Sequence, residues 1–503
     1  MTVEQSSTGH SCGPGILQEN HNPNQRGDFM STIVKKAGMG VFTLAMLNVA
    51  AVLSIRNLPS QAEYGWSIIF YITAASICFF LPSALVSAEL ASGWPEDGGV
   101  YLWVKEAFGP KWGFVAISMQ WVENLPWFPA VLTFVASAIA YVFNPELATN
   151  RWFVFLVVVG SLWLATFLNF KGMKLSAFLS SSGAIAGTLV PGILIILLMI
   201  VYFIMGKPSS IPFSASALVP NLDNINQIML LSGMMVAISG MEMSAVHVTD
   251  VDNPKKNFPK AIFISCAIII LLSILGSLGI AVVIPQNDIS LAAGALQAFD
   301  KMFEIFHIRW MTPIISFLLA YGALTMVVTW VLGPSKGVLE VAREGYLPDY
   351  WQHRNANGMP TRILIIQAII SSLLSLVIFF MPTISGAFWI MSALTAQLYM
   401  IMYLFMFAAA IKLRYSKGDV PRSYKIPGGK PGMWIVSGIA FLTAFLAILV
   451  GFIPTGNVRA EGPHAIIFYI AFLFFGSLFF MAIPLVLYHL YEARKLREQT
   501  AGK

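Results

Sequence analysis

Runs of about 20 apolar residues recur from near position 37 to position 490, and nothing else in the chain restricts its fold so strongly. Each run is long enough to cross a hydrocarbon core of about 30 Å as a helix. In lipid every backbone N–H and C=O must be satisfied within the protein, which leaves helices for segments of this length. The expected fold class is therefore all-α integral membrane. Composition agrees: 57% of the 503 residues are hydrophobic and 11% charged, against about 25% charged in soluble domains. Twelve spans are predicted, near 37–58, 67–92, 113–143, 152–169, 176–205, 227–247, 259–284, 310–332, 362–381, 386–411, 432–454 and 465–490.

Twelve spans bring both termini to one face. If that face is cytoplasmic, every Lys and Arg falls on it except Arg56, Arg151, Lys207, Lys301, Arg309 and Arg459, which is the positive-inside bias. The prediction is a multi-pass protein of a bacterial-type inner (plasma) membrane with both termini cytoplasmic. The same bias explains a pI near 9.1 without nucleic acid as a partner; the partner in bulk is the lipid bilayer. Residues 1–33 are polar and read as a disordered cytoplasmic tail, and 492–503 as a short one. The three cysteines are far apart and form neither a disulfide framework nor a metal-ligand spacing. No metal and no cofactor is expected. The seven histidines are scattered and no H-E-x-x-H or nucleophile motif occurs, so the chain does not read as an enzyme. A channel would need repeated polar rings, whereas polar groups here concentrate at two helix breaks.

Charges inside a span are expensive and mark function by default. Four stand out: Arg56, Glu89, Glu123 and Glu242. Glu89 lies close to the cytoplasmic end of its span, where it can reach interfacial water. Glu123, flanked by aromatics and two prolines, fits a structural ion pair or a substrate contact equally well. Arg56 can snorkel outward as a helix-end anchor or face the interior. Glu242 sits in "SGMEMS" beside Gly240, a combination that invites a break in the helix. Broken helices at mid-membrane serve secondary transporters, because half-helix N-termini offer N–H groups to carboxylates and C-termini offer carbonyls to cations. The first span is similarly marked, by "AAVLSIRNLP". The two marked spans are five apart, an odd number, so a second group of five would insert upside down relative to the first. This reading divides the chain into inverted repeat 1 (34–207, spans 1–5), inverted repeat 2 (208–414, spans 6–10) and two appended spans (415–491).

At this point the residues resemble a known family. "AISGMEMSAVHVTDVDNPKKNFPKAI" is similar to the sixth-helix signature of the amino acid–polyamine–organocation superfamily. "EDGGVYLWVKEAFGPKWGF" (96–114) and "GPSKGVLEVAREGYLPDYWQHRNANGMPTRI" (333–363) resemble its loops after the second and eighth helices. Within the superfamily the chain most resembles the glutamate:GABA antiporter family, through "RSYKIPGGKPG", "IAVVIPQNDISLAAGALQAF" and the spacing of Tyr399 and Tyr403. The resemblance implies a LeuT-like fold with two inverted five-helix repeats plus two extra helices. It implies a permease that works by alternating access, exchanging an amino acid for another amino acid or an amine; the alternative is proton-coupled uptake. Its substrates would be amino acids or amines as small molecules, with protons as candidate co-substrates and a second copy of the chain as a candidate partner in a homodimer.

Carried over by position, the resemblance puts Val52, Leu53 and Ser54 at the break in helix 1, their N–H groups holding the substrate α-carboxylate. Ser239, Gly240 and Met241 form the break in helix 6, whose carbonyls hold the α-amine. Glu242 ties helices together near the gate, and Tyr399 and Tyr403 line the pathway. Two departures are visible. The helix-1 triplet is "VLS" where many members have G-S-G, and Met326 stands where acid-resistance exchangers carry an acidic residue. Arg56 and Glu123 complete the candidate site. If Arg56 faces the cavity, it is a bidentate partner for a second substrate carboxylate. If it pairs with Glu123, the pocket is nearly neutral and suits zwitterionic or aromatic substrates.

Overall fold

A computed structural model of the chain describes residues 40–95, 98–219, 233–245, 251–454, 458–459 and 462–501. The expected N-terminal tail lies outside them. Among the described residues the protein is all-α. Ten helices are long and apolar enough to cross a membrane, and they coincide with ten of the twelve predicted spans. Of the other two, span 1 is broken into short helices, and span 6, of which 233–245 are described, is interrupted within that stretch. Span 1 runs as a helix over Val41–Val52, breaks at Leu53 and Ser54, turns through Ile55–Asn57 and resumes over Leu58–Ala62. Span 6 is helical over 233–237 and again over Met241–Ala245. A LeuT-like fold requires breaks in these two spans.

The two breaks have different chemistry. Gly240 sits at φ +116°, a conformation that side chains rarely adopt, and a Cβ there would lie 3.3 Å from the Trp330 ring. Glycine is needed at that point. In span 1, Leu53 (φ −73°, ψ 126°) and Ser54 (φ −139°, ψ 128°) are simply extended. Any residue adopts that conformation, so the break forms without the glycines that "VLS" lacks.

Span 3 is interrupted in a third way. Helices Pro110–Val122 and Asn124–Phe143 meet at Glu123. Pro126 has no N–H to give the Val122 carbonyl, and Pro129 none for Leu125, which loosens the helix on either side of the carboxylate.

Spans 3 and 10 form the centre; in their most apolar stretches 83% and 72% of residues are buried, against 28% and 22% in spans 11 and 12. The last two spans therefore sit at the periphery, facing lipid. Span 10 is a single helix from Ile384 to Ser416. Span 8 (Thr312–Arg343) lies along span 3, and span 7 (Pro254–Val283) along the first half of span 1. The two broken spans touch each other. Two amphipathic helices, Val100–Phe108 and Gly294–Ile305, lie between spans in stretches read from sequence as loops.

Candidate functional site

The two breaks meet a narrow cavity lined by Ala51, Val52, Arg56, Asn57, Glu123, Trp127, Val236, Ser239, Met326, Trp330 and Tyr399. Its free space admits about one water. Of the residues expected at the site, Val52, Arg56, Glu123, Ser239 and Tyr399 come together here. Ser54 lines an adjoining cavity. Leu53, Gly240, Met241 and Tyr403 line neither.

At the span 1 break the donors fall slightly later than position alone suggests. The Leu53 N–H is taken by the Val49 carbonyl at 2.9 Å. The N–H groups of Ser54, Ile55 and Arg56, where the chain turns into the second half-helix, have no acceptor among the described residues. Three such donors at one helix start form a carboxylate-binding geometry. In span 6 the first half-helix ends at Ala237, so the carbonyls from Ala237 to Ser239 lie beyond its last donor and favour a cation. The Ser239 hydroxyl turns back to the Met235 carbonyl at 2.6 Å.

Glu242 is buried and does not line the cavity. Tyr399 and Tyr403 both donate hydroxyl hydrogen bonds to its carboxylate, and Gln120 Nε2 approaches it at 3.4 Å. One side chain of span 6 is thereby held by span 10 and span 3. The Gly240 N–H donates to the Tyr403 hydroxyl oxygen at 3.0 Å, so the break is anchored to span 10 as well.

Arg56 and Glu123 share the cavity without joining. No ion pair links them among the described residues. The Arg56 guanidinium lies 5.7 Å from the Trp127 ring centre and 5.8 Å from that of Phe388, a cation–π setting. The residue is only 5% exposed and its Nε has no acceptor. Glu123, 2% exposed, accepts one hydrogen bond, from Asn124 Nδ2 at 2.7 Å. Of the two alternatives open in the sequence, the structural ion pair is absent here.

Glu89 departs from the sequence expectation. It does not reach interfacial water: Arg414 at 2.8 Å, Arg422 at 2.9 Å and the Ile426 N–H at 2.7 Å enclose it in a buried cluster. Its partners lie more than 300 residues away in sequence, and no local signal announces them. Sequence reading also missed Trp127, Trp330 and Gln120. Trp127 lies four residues after Glu123 and Gln120 three before, so helical spacing puts all three on one face.

A family model described as "Amino acid permease" matches residues 39–476. An uncharacterised transporter of Legionella pneumophila is 40% identical over 449 residues, covering 89% of this chain and 96% of that protein. A glutamate/gamma-aminobutyrate antiporter of Lactococcus lactis is 30% identical over 462 residues, covering 91% of each. A probable agmatine/putrescine antiporter from the same species is 23% identical over 419 residues, covering 83% of this chain and 88% of that protein.

Proposed function

The chain belongs to the amino acid permease family, and from that premise we propose that it exchanges an acidic amino acid for its decarboxylated amine by alternating access. Arg56 is the observation that carries this reading. A buried guanidinium with no ion pair among the described residues is costly, and a carboxylate brought by the substrate offsets that cost. α-Decarboxylation removes the α-carboxylate but leaves the amine and the side-chain carboxylate. Arg56 would then recognise the group that both exchange partners keep. The N–H groups from Ser54 to Arg56 would hold the α-carboxylate present only on the amino acid, and the carbonyls near Ser239 the amine of either. Val52 and Tyr399 would form the walls, with Glu242, Gly240, Met241, Tyr403 and Leu53 shaping the breaks. The glutamate/gamma-aminobutyrate antiporter among the relatives supports the same pairing. Both termini on the cytoplasmic face suit the distribution of basic residues.

A second reading, proton-coupled uptake, is favoured by one observation. Glu123 lines the same cavity and has a single neutral donor, so it is placed to carry a proton with the substrate.

The test uses purified protein in liposomes preloaded with glutamate, aspartate, GABA, aromatic amino acids or nothing, with labelled uptake followed at two pH values. Uptake confined to preloaded vesicles supports exchange, and the productive pair names the substrates. Uptake into empty vesicles driven by a proton gradient overturns exchange in favour of symport.

A further inference from the structure

A second cavity adjoins the central one and shares with it only two side chains, Arg56 and Met326. Its other walls include Ser54, Phe134, Thr188 and two facing glycines, Gly187 and Gly322. Spans 5 and 8 approach backbone to backbone at these glycines: a Cβ on Gly187 would lie 2.3 Å from the Gly322 Cα, and one on Gly322 would lie 2.6 Å from the Gly187 Cα. Span 5 also opens into a π-turn over Ile185–Leu189, a wider helical turn that recurs at functional sites. Backbone sets this wall, and the free space beside it is smaller than one water, so room for a ligand there depends on a side chain moving aside.

The two cavities differ in charge. The central one has both Arg56 and Glu123 on its wall, whereas the second has Arg56 and no carboxylate. Arg56, whose Nε has no acceptor among the described residues, lines both spaces, and Ser54, whose N–H likewise has none there, lines the second. Met326 completes the partition. An unbranched thioether with three torsions is the side chain best suited to swing aside and join them.

We propose that the second cavity receives the far end of the substrate side chain, and that Met326 sets how long a side chain is accepted. This rests on the acidic-substrate reading above. The head group sits between the half-helices, Arg56 at the junction takes the distal carboxylate, and additional methylenes push that carboxylate past Met326 toward Thr188. The chemical class is a homologous series of acidic amino acids distinguished by chain length.

The experiment compares aspartate, glutamate and 2-aminoadipate, which differ by one methylene each, as competitors for labelled exchange in proteoliposomes. Wild type is set against Met326→Ala, which enlarges the passage, Ala323→Val, which narrows the second cavity one helical turn from Met326, and Met326→Leu, which keeps the bulk. We expect Met326→Ala to shift the 2-aminoadipate-to-aspartate preference at least about tenfold toward the longer acid, the lower end of pocket selectivity for one methylene. Ala323→Val should shift it the opposite way, and Met326→Leu should shift it less than Met326→Ala. A variant too slow to transport is read by the same ratio from ligand-induced thermal shifts in detergent. An unchanged ratio in both Met326→Ala and Ala323→Val, with acids still bound, overturns the length-selecting cavity and leaves the acidic-substrate reading standing. Binding of neutral amino acids and none of the three acids by wild type overturns that reading, and the cavity's role with it.

Discussion

Tyr403 donates its hydroxyl hydrogen to the carboxylate of Glu242, 161 residues away in sequence, while the same oxygen accepts the N–H of Gly240. One phenol thus satisfies a buried acid and an unpaired amide at the break of span 6. Removing the hydroxyl alone strands the Gly240 amide and leaves Glu242 with Tyr399 and Gln120 as its donors. We expect Tyr403→Phe to reduce transport by about tenfold, since a stranded buried group costs about 1–3 kcal/mol. Membrane insertion should be preserved. Transport at the wild-type rate with normal expression would show that this bond does not support the break.

Arg56→Ala is expected to abolish uptake of acidic amino acids and to spare neutral ones. Arg56→Lys should restore only part of the acidic uptake, because an ammonium lacks the planar fork that meets a carboxylate in two bonds. Measuring both substrate classes in the same vesicles decides the matter. Equal loss of both in Arg56→Ala would mark a structural residue.

Glu123→Gln keeps the shape of the side chain and removes its ability to carry a proton. Under exchange, counter-flow between preloaded vesicles and medium should persist at the level set by the altered pocket. Under symport, proton-driven uptake into empty vesicles should disappear. The pair of assays separates the two modes in one variant.

Glu89→Gln is predicted to destabilise the protein outright. It leaves Arg414 and Arg422, with side chains 9% and 1% exposed, facing a neutral amide. Breaking a buried pair in this way costs about 3–5 kcal/mol. A lowered melting temperature in detergent, independent of substrate, is the expected outcome. An unchanged one would mean that water relieves the two guanidinium groups.

Gly322→Ala is expected to cost about 1–3 kcal/mol through forced separation of packed backbones, since the added carbon would lie 2.6 Å from the Gly187 Cα and 2.8 Å from its carbonyl carbon. Thermal unfolding of the variant, compared with Gly160→Ala, where a Cβ meets nothing within 4 Å, isolates the contact from the general effect of adding a methyl group.

The spans could be read from sequence because the hydrophobic signal is local: length and polarity of a run decide whether it crosses lipid. The span 6 break was legible for a similar reason, as Gly240 and Glu242 are two residues apart. The partners of Glu89 were not, because Arg414 and Arg422 reach it only after the chain has crossed the membrane many times. Nor was the relation of Arg56 to Glu123. Two opposite charges in one pocket suggest a pair, and only the fold shows the guanidinium near the rings of Trp127 and Phe388, with no ion pair to Glu123 among the described residues. The short helix Val100–Phe108 escaped because its alternation of apolar and charged residues is too brief to separate from a loop.

Span 10 has no break between Ile384 and Ser416, and it carries tethers at two depths. Tyr399 and Tyr403 hold Glu242 of span 6, and Arg414, about 16 Å beyond Tyr403 along the axis at 1.5 Å per residue, holds Glu89. A continuous helix resists bending over that distance, so span 10 acts as a strut: it joins the break of span 6 and the arginine cluster to one stiff member.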